Sequence, residues 1–115
     1  MNISEYFTST EMACKGEVCC GGAYPMDSHF MHYLDLLRGQ YKKKIYITSG
    51  FRCYTHNRTV GGVPTSWHPR GKAADCKPEG GKEDLKLLAD IAELFFKEVI
   101  IYPTFVHIAD PKPCG

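Results

Sequence analysis

The chain has almost no net charge: 14 lysines and arginines against 13 aspartates and glutamates leave +1. That balance offers no electrostatic footprint for a nucleic acid or an anionic membrane, and neither is expected as a partner. No apolar run approaches the roughly 20 residues that a membrane-spanning helix needs. The first residues, Met1-Asn2-Ile3-Ser4-Glu5-Tyr6, lack the basic segment and apolar core of a secretory leader. The expectation is synthesis in the cytoplasm without a signal peptide, and with it reduced thiols. Internal repeats and low-complexity linkers are also missing. The 115 residues suit one domain, 1–115, with a modest core, and a monomer is expected.

Cysteine is plentiful, with six in the chain: Cys14, Cys19, Cys20, Cys53, Cys76 and Cys114. Sequence does not choose among their pairings. Cys14, Cys19 and Cys20 crowd one loop, which leaves a second structural metal open there, although that loop has no Cys-x-x-Cys pair. Cys76 reads as a small buried hydrophobe. Cys53 and His56, three apart, give only weak support to a thiol nucleophile.

Residues 1–25 read as an arm with one helical turn, capped by Ser or Thr ahead of Glu11. Asp27 or Ser28 can cap a first helix running to about Arg38, with Phe30, Met31, Leu34 and Leu37 toward the core and Gly39 as its C-cap. Ile45-Tyr46-Ile47-Thr48 is a strand. A second helix is expected over about Lys82–Lys97, burying Leu85, Leu88, Ile91, Ala92 and Phe95. Val99–Tyr102 and Phe105–Ile108 follow as two short strands around Pro103-Thr104, or as one bent strand. Mixed elements without βαβ regularity predict an α+β fold, with two principal helices and a small, mainly antiparallel sheet.

The chemistry concentrates in Ser66-Trp67-His68-Pro69-Arg70-Gly71-Lys72-Ala73-Ala74-Asp75. His68 precedes a proline, hence lies on an extended loop. Gly71 lets the chain swing back. Ala73-Ala74-Asp75-Cys76 then reads as a strand in which Ala73 and Asp75 share a face. His107 sits between Val106 and Ile108 in a second strand. Were the two strands neighbours, His68, Asp75 and His107 would form a three-ligand set for zinc, leaving a fourth position to water. A lone strand histidine is more often a hydrogen-bonded core residue than a ligand, and Asp75 could be satisfied by nearby N–H groups. Spacing alone leaves both readings open.

The pattern Ser66-x-His68-x-x-Gly71-x-Ala73-x-Asp75 resembles, position for position, the signature of zinc D-Ala-D-Ala carboxypeptidases and their endolysin relatives. Hedgehog amino-terminal domains carry a similar zinc site. Ile47-Thr48-Ser49-Gly50-Phe51-Arg52 is similar to the strand and "SGYR" element of that family, and His56-Asn57 with Gly61-Gly62 to the segment after it. Ile101–His107 resembles the strand that brings the last ligand. The likeness covers roughly 44–109, the expected metal-binding core.

The resemblance implies one catalytic zinc on His68, Asp75 and His107. It implies Arg52 at the active site, assisting substrate binding or a developing oxyanion. Ser66 and Trp67 are expected against substrate, and Arg58 and Arg70 are weaker groove candidates. It further implies hydrolysis of D-amino-acid-containing peptide bonds in peptidoglycan stem peptides, by a carboxypeptidase or an endolysin of phage or prophage lysis acting on the wall after release. Many relatives place an acid three residues before the last histidine, where this chain has Thr104; others place one two residues after it, where Ala109 stands. Asp110 is the expected proton acceptor, with Glu98 as the other candidate. A catalytically silent zinc-binding module of the same fold is the alternative.

Overall fold

The computed structural model describes residues 4–15, 26–61 and 68–113, with the backbone only at Tyr54 and Thr55. The first turn, α1 (Ser9–Met12), is held by a capping box: the Thr8 side chain accepts from the Glu11 N–H, and Glu11 returns the favour to the Thr8 N–H at 3.1 Å. This segment is not peripheral. Phe7 and Met12 are buried in the core, and the Phe51 N–H donates to the Met12 carbonyl at 2.8 Å.

Helix α2 (Ser28–Tyr41) starts at Asp27, whose side chain accepts from the Phe30 N–H. Phe30, Met31, Leu34 and Leu37 are buried, as their helical spacing requires. The helix does not stop at Gly39. It runs on to Tyr41 and is closed by Lys42 in the left-handed region (φ 68°). The reason is long-range: Tyr41 is buried, and its hydroxyl bonds to Asp84 at 2.5 Å. Gly39 is thus an exposed interior helix position, and a Cβ there would meet nothing within 4 Å. Gly39→Ala should stabilise the chain by about 0.5–1 kcal/mol through lost unfolded-state entropy, readable as a higher denaturant midpoint at constant slope.

The sheet has four strands: β1 (Ile45–Ser49), β2 (Ala73–Pro78), β3 (Phe96–Ile101) and β4 (Val106–Pro111). Their order is β1-β2-β4-β3, and every pairing is antiparallel. A short helix, α3 (Tyr54–Thr59), follows β1. The long second helix expected over 82–97 is instead a 3-10 turn, Gly81–Asp84, and a short helix, α4 (Leu85–Ala92). Its buried positions are Leu85, Leu88, Ala89 and Ala92, while Leu94 is exposed. Phe96 already belongs to β3 and packs on Phe30, ring centroids 5.1 Å apart. The β-branched run Val99-Ile100-Ile101 extends the pairing with β4, and this outcompetes helical continuation.

Helices α2 and α4 cover one face of the sheet. Ile45, Ala74, Cys76, Val106 and Ile108 belong to the cluster buried beneath them. Alternation along β2 and β4 therefore turns Asp75 and His107 to the opposite face.

Candidate metal centre

Asp75 on β2 and His107 on β4 are direct cross-strand partners. Their neighbours Ala74, Cys76, Val106 and Ile108 are fully buried in the helix-covered core, which fixes both functional side chains on the other face. There His107 Nδ1 lies 2.9 Å from Asp75 Oδ1. The next pair on that face is Ala73 opposite Ala109, two small, fully buried residues that leave room beside the carboxylate.

His68 arrives from the 3-10 turn His68–Arg70. Gly71 (φ 70°) reverses the chain, its N–H donating to the His68 carbonyl and its carbonyl accepting from the Asp27 N–H. The ring is 1% exposed. Its Nδ1 lies 2.6 Å from the Gly50 carbonyl. A carbonyl only accepts, so Nδ1 carries hydrogen, and in the neutral ring the lone pair is on Nε2. That atom faces Asp75 Oδ1 at 3.5 Å. One donor atom from each of His68, Asp75 and His107 lies within 4.8 Å of the others. Two imidazoles and one carboxylate are an ordinary zinc donor set with one open position, so the side chains present fit that ion.

Arg52 approaches the other carboxylate oxygen: Nη2 is 3.8 Å from Asp75 Oδ2, and Nη1 donates to Asn57 Oδ1 at 3.2 Å. Its Nε is buried and has no hydrogen-bond partner among the described residues. Glu98 on β3 completes the cluster, with Oε2 3.0 Å from His107 Nε2.

Burial opposes ionisation of Asp75, but hydrogen bonds from His107 and His68 outweigh it and hold the carboxyl well below the ordinary range. Burial likewise disfavours charge on His107, yet its bonds to Asp75 and Glu98 win and raise its pKa. Burial pushes the Arg52 guanidinium down, against the attraction of Asp75. The signs set a pH profile for the metal-free chain. The Asp75 contribution to stability is present above its ordinary value of 3.8 and lost as pH falls through the depressed one. The His107 contribution is complete below its ordinary value of 6.5 and lost as pH rises through the raised one. Thermal unfolding of chelated protein should therefore show a falling midpoint above neutrality. Zinc reverses the trend, because it displaces a proton from His107 and binds better as pH rises. A metal-free midpoint that climbs steadily from pH 6 to 9 would contradict this.

Not every residue singled out by sequence lies here. Asp110 is three residues past His107 and has φ 57°; its N–H donates to the Lys72 carbonyl, and its carboxylate makes no hydrogen bond or ion pair with the triad. Thr104 is exposed in the β3–β4 turn, and Arg58 and Arg70 are exposed. The carboxylate against His107 is Glu98, nine residues upstream. The signal for it lay in the hairpin register, which pairs Glu98 with Ala109 and Ile100 with His107.

Ser66 and Trp67 lie outside the described residues, as do Cys19, Cys20 and Cys114. Cys14 is buried with Sγ 3.9 Å from that of Cys53. Cys53 caps α3, its sulfur accepting from the His56 N–H. Cys76 is fully buried, and burial pushes its thiol far up.

The family model described as Peptidase M15 matches residues 5–109. No curated protein matches the chain.

Proposed function

We propose that this chain, which belongs to the M15 peptidase family, is a zinc-dependent hydrolase of D-amino-acid-containing peptide bonds in peptidoglycan stem peptides. The convergence of His68, Asp75 and His107 within 4.8 Å carries the reading. A zinc ion held there supplies Lewis acidity toward a carbonyl oxygen and a water nucleophile near neutral pH. The chain's own residues arrange the rest. The Gly50 carbonyl holds His68 so that Nε2 faces the cluster, and Asp75 Oδ1 faces both imidazoles. Arg52 sets a fixed cation at the edge of the cluster, suited to a peptide carboxylate or a developing oxyanion. Ser66 and Trp67 are proposed for the groove wall. Enzymes of phage or prophage lysis, made in the cytoplasm and acting on the wall, are the proposed setting.

One observation favours a second reading, a catalytically silent zinc module. Thr104 is exposed, and the Asp110 carboxylate makes no hydrogen bond or ion pair with the triad. Metal analysis and muropeptide digestion separate the two. The enzyme reading expects one zinc per chain and new peptide termini, lost on chelation and restored by zinc. Stoichiometric zinc without cleavage of any muropeptide supports the silent module. Absence of zinc binding overturns both.

A further inference from the structure

We propose that Glu98 is a positioning residue that locks His107 into the tautomer presenting Nδ1 to the metal. This rests on the metal-centre reading. His107 has two nitrogens, and the fold uses each differently. Nδ1 faces Asp75 Oδ1, the oxygen that His68 also faces; Nε2 faces Glu98 Oε2 at 3.0 Å. Both nitrogens face carboxylates, which only accept; a cation taking the Nδ1 lone pair would leave the ring's one hydrogen on Nε2, where Glu98 accepts it. Outer carboxylates of this kind orient ligand histidines and raise their basicity.

The sheet register explains how Glu98 reaches. It comes from a separate strand, β3, with Ala109 as its direct partner on β4 and His107 on the diagonal. Diagonal neighbours are within reach of long side chains. Ala109 is fully buried and ends at Cβ, so it neither blocks the diagonal nor offers His107 a rival acceptor. A glutamate across from an alanine thus places a carboxylate on the outer nitrogen of a ligand two positions away. The Glu98 side chain is 41% exposed, and water can partly replace it. That puts the expected effect at the low end for such partners, about tenfold in metal affinity.

The test uses the full chain and zinc alone. Competition with a chelating dye gives zinc affinity, and long-range nitrogen–proton NMR reads the His107 tautomer in zinc-loaded protein. Wild type should show hydrogen on Nε2. Glu98→Ala should bind zinc about tenfold more weakly, with the Nε2–H signal exchange-broadened or shifted. Glu98→Gln keeps an acceptor oxygen and should retain the tautomer, with a loss of about threefold or less. Thermal unfolding of each metal-free variant confirms that it is folded. Failure of wild type to bind zinc defeats the metal-centre reading and this inference together. Zinc binding that is lost in His68→Ala but unchanged, with an unchanged Nε2–H signal, in Glu98→Ala overturns the inference alone.

Discussion

Asp75→Ala is expected to lower hydrolysis by at least about a thousandfold, roughly 4 kcal/mol of transition-state stabilisation, and to strip zinc from the purified chain. Among the described residues, Asp75 faces three side chains of the cluster. Its carboxylate lies 2.9 Å from His107, 3.5 Å from His68 and 3.8 Å from Arg52, and its side chain is 13% exposed. Removing it deletes one metal donor and also the counter-charge for a largely buried guanidinium. Breaking such a pair by deleting one member typically costs about 3–5 kcal/mol, since the remaining charge stays buried. The metal-free variant should thus melt well below the metal-free wild type. Strand β2 should survive, because its pairing and its core contacts come from the backbone and from Ala74 and Cys76. Asp75→Asn separates the two losses: it preserves shape and weak donation but not charge, so activity falls while unfolding shifts less. Near-normal turnover with a full complement of zinc in Asp75→Ala would remove the carboxylate from the reaction altogether.

The ligand geometry was legible because it follows from alternation. Val106 and Ile108 had to be buried, so His107 had to turn outward; Ala74 and Cys76 do the same for Asp75. Once β2 and β4 are adjacent, the two side chains meet without further instruction. Mixed elements without βαβ regularity also pointed to the α+β fold with its antiparallel sheet. What escaped was set by contacts distant in sequence. Gly39 is a good local stop for α2, but Tyr41 has a partner 43 residues on, in Asp84, and the helix extends to deliver it. The 82–97 segment fits a helical period, yet Phe96 is worth more in β3 beside Phe30, a preference no local window contains. The choice between the two acids near His107 turns on the same kind of contact. Counting along β4 favours Asp110, whereas the carboxylate against His107 is the other candidate, Glu98, which the hairpin register brings across from β3. The amino-terminal segment likewise reads locally as an arm, while Phe7 and Met12 sit in the core.

That last point has a large consequence at Gly50. The backbone there is not in the left-handed region, so alanine meets no torsional penalty, and the cost comes from space. A Cβ on Gly50 would lie 2.8 Å from both the Cα and the carbonyl oxygen of Met12. These are backbone atoms, pinned by the Phe51 N–H bond to the same oxygen, so no rotamer change relieves the clash. Either α1 lifts from the sheet or Gly50 retreats. Overpacking of this kind costs about 1–3 kcal/mol, or a fall of roughly 4–15 °C in midpoint for a chain of this size. Retreat of Gly50 also moves the carbonyl that fixes His68 Nδ1. An outer partner of a ligand histidine is worth about 10–100-fold in metal affinity, so Gly50→Ala should weaken zinc binding as well as stability. Substitution at Gly39, with open space around it, should do neither. A Gly50→Ala chain that melts with the wild type and holds zinc as tightly would mean that α1 does not press on the loop that aims His68.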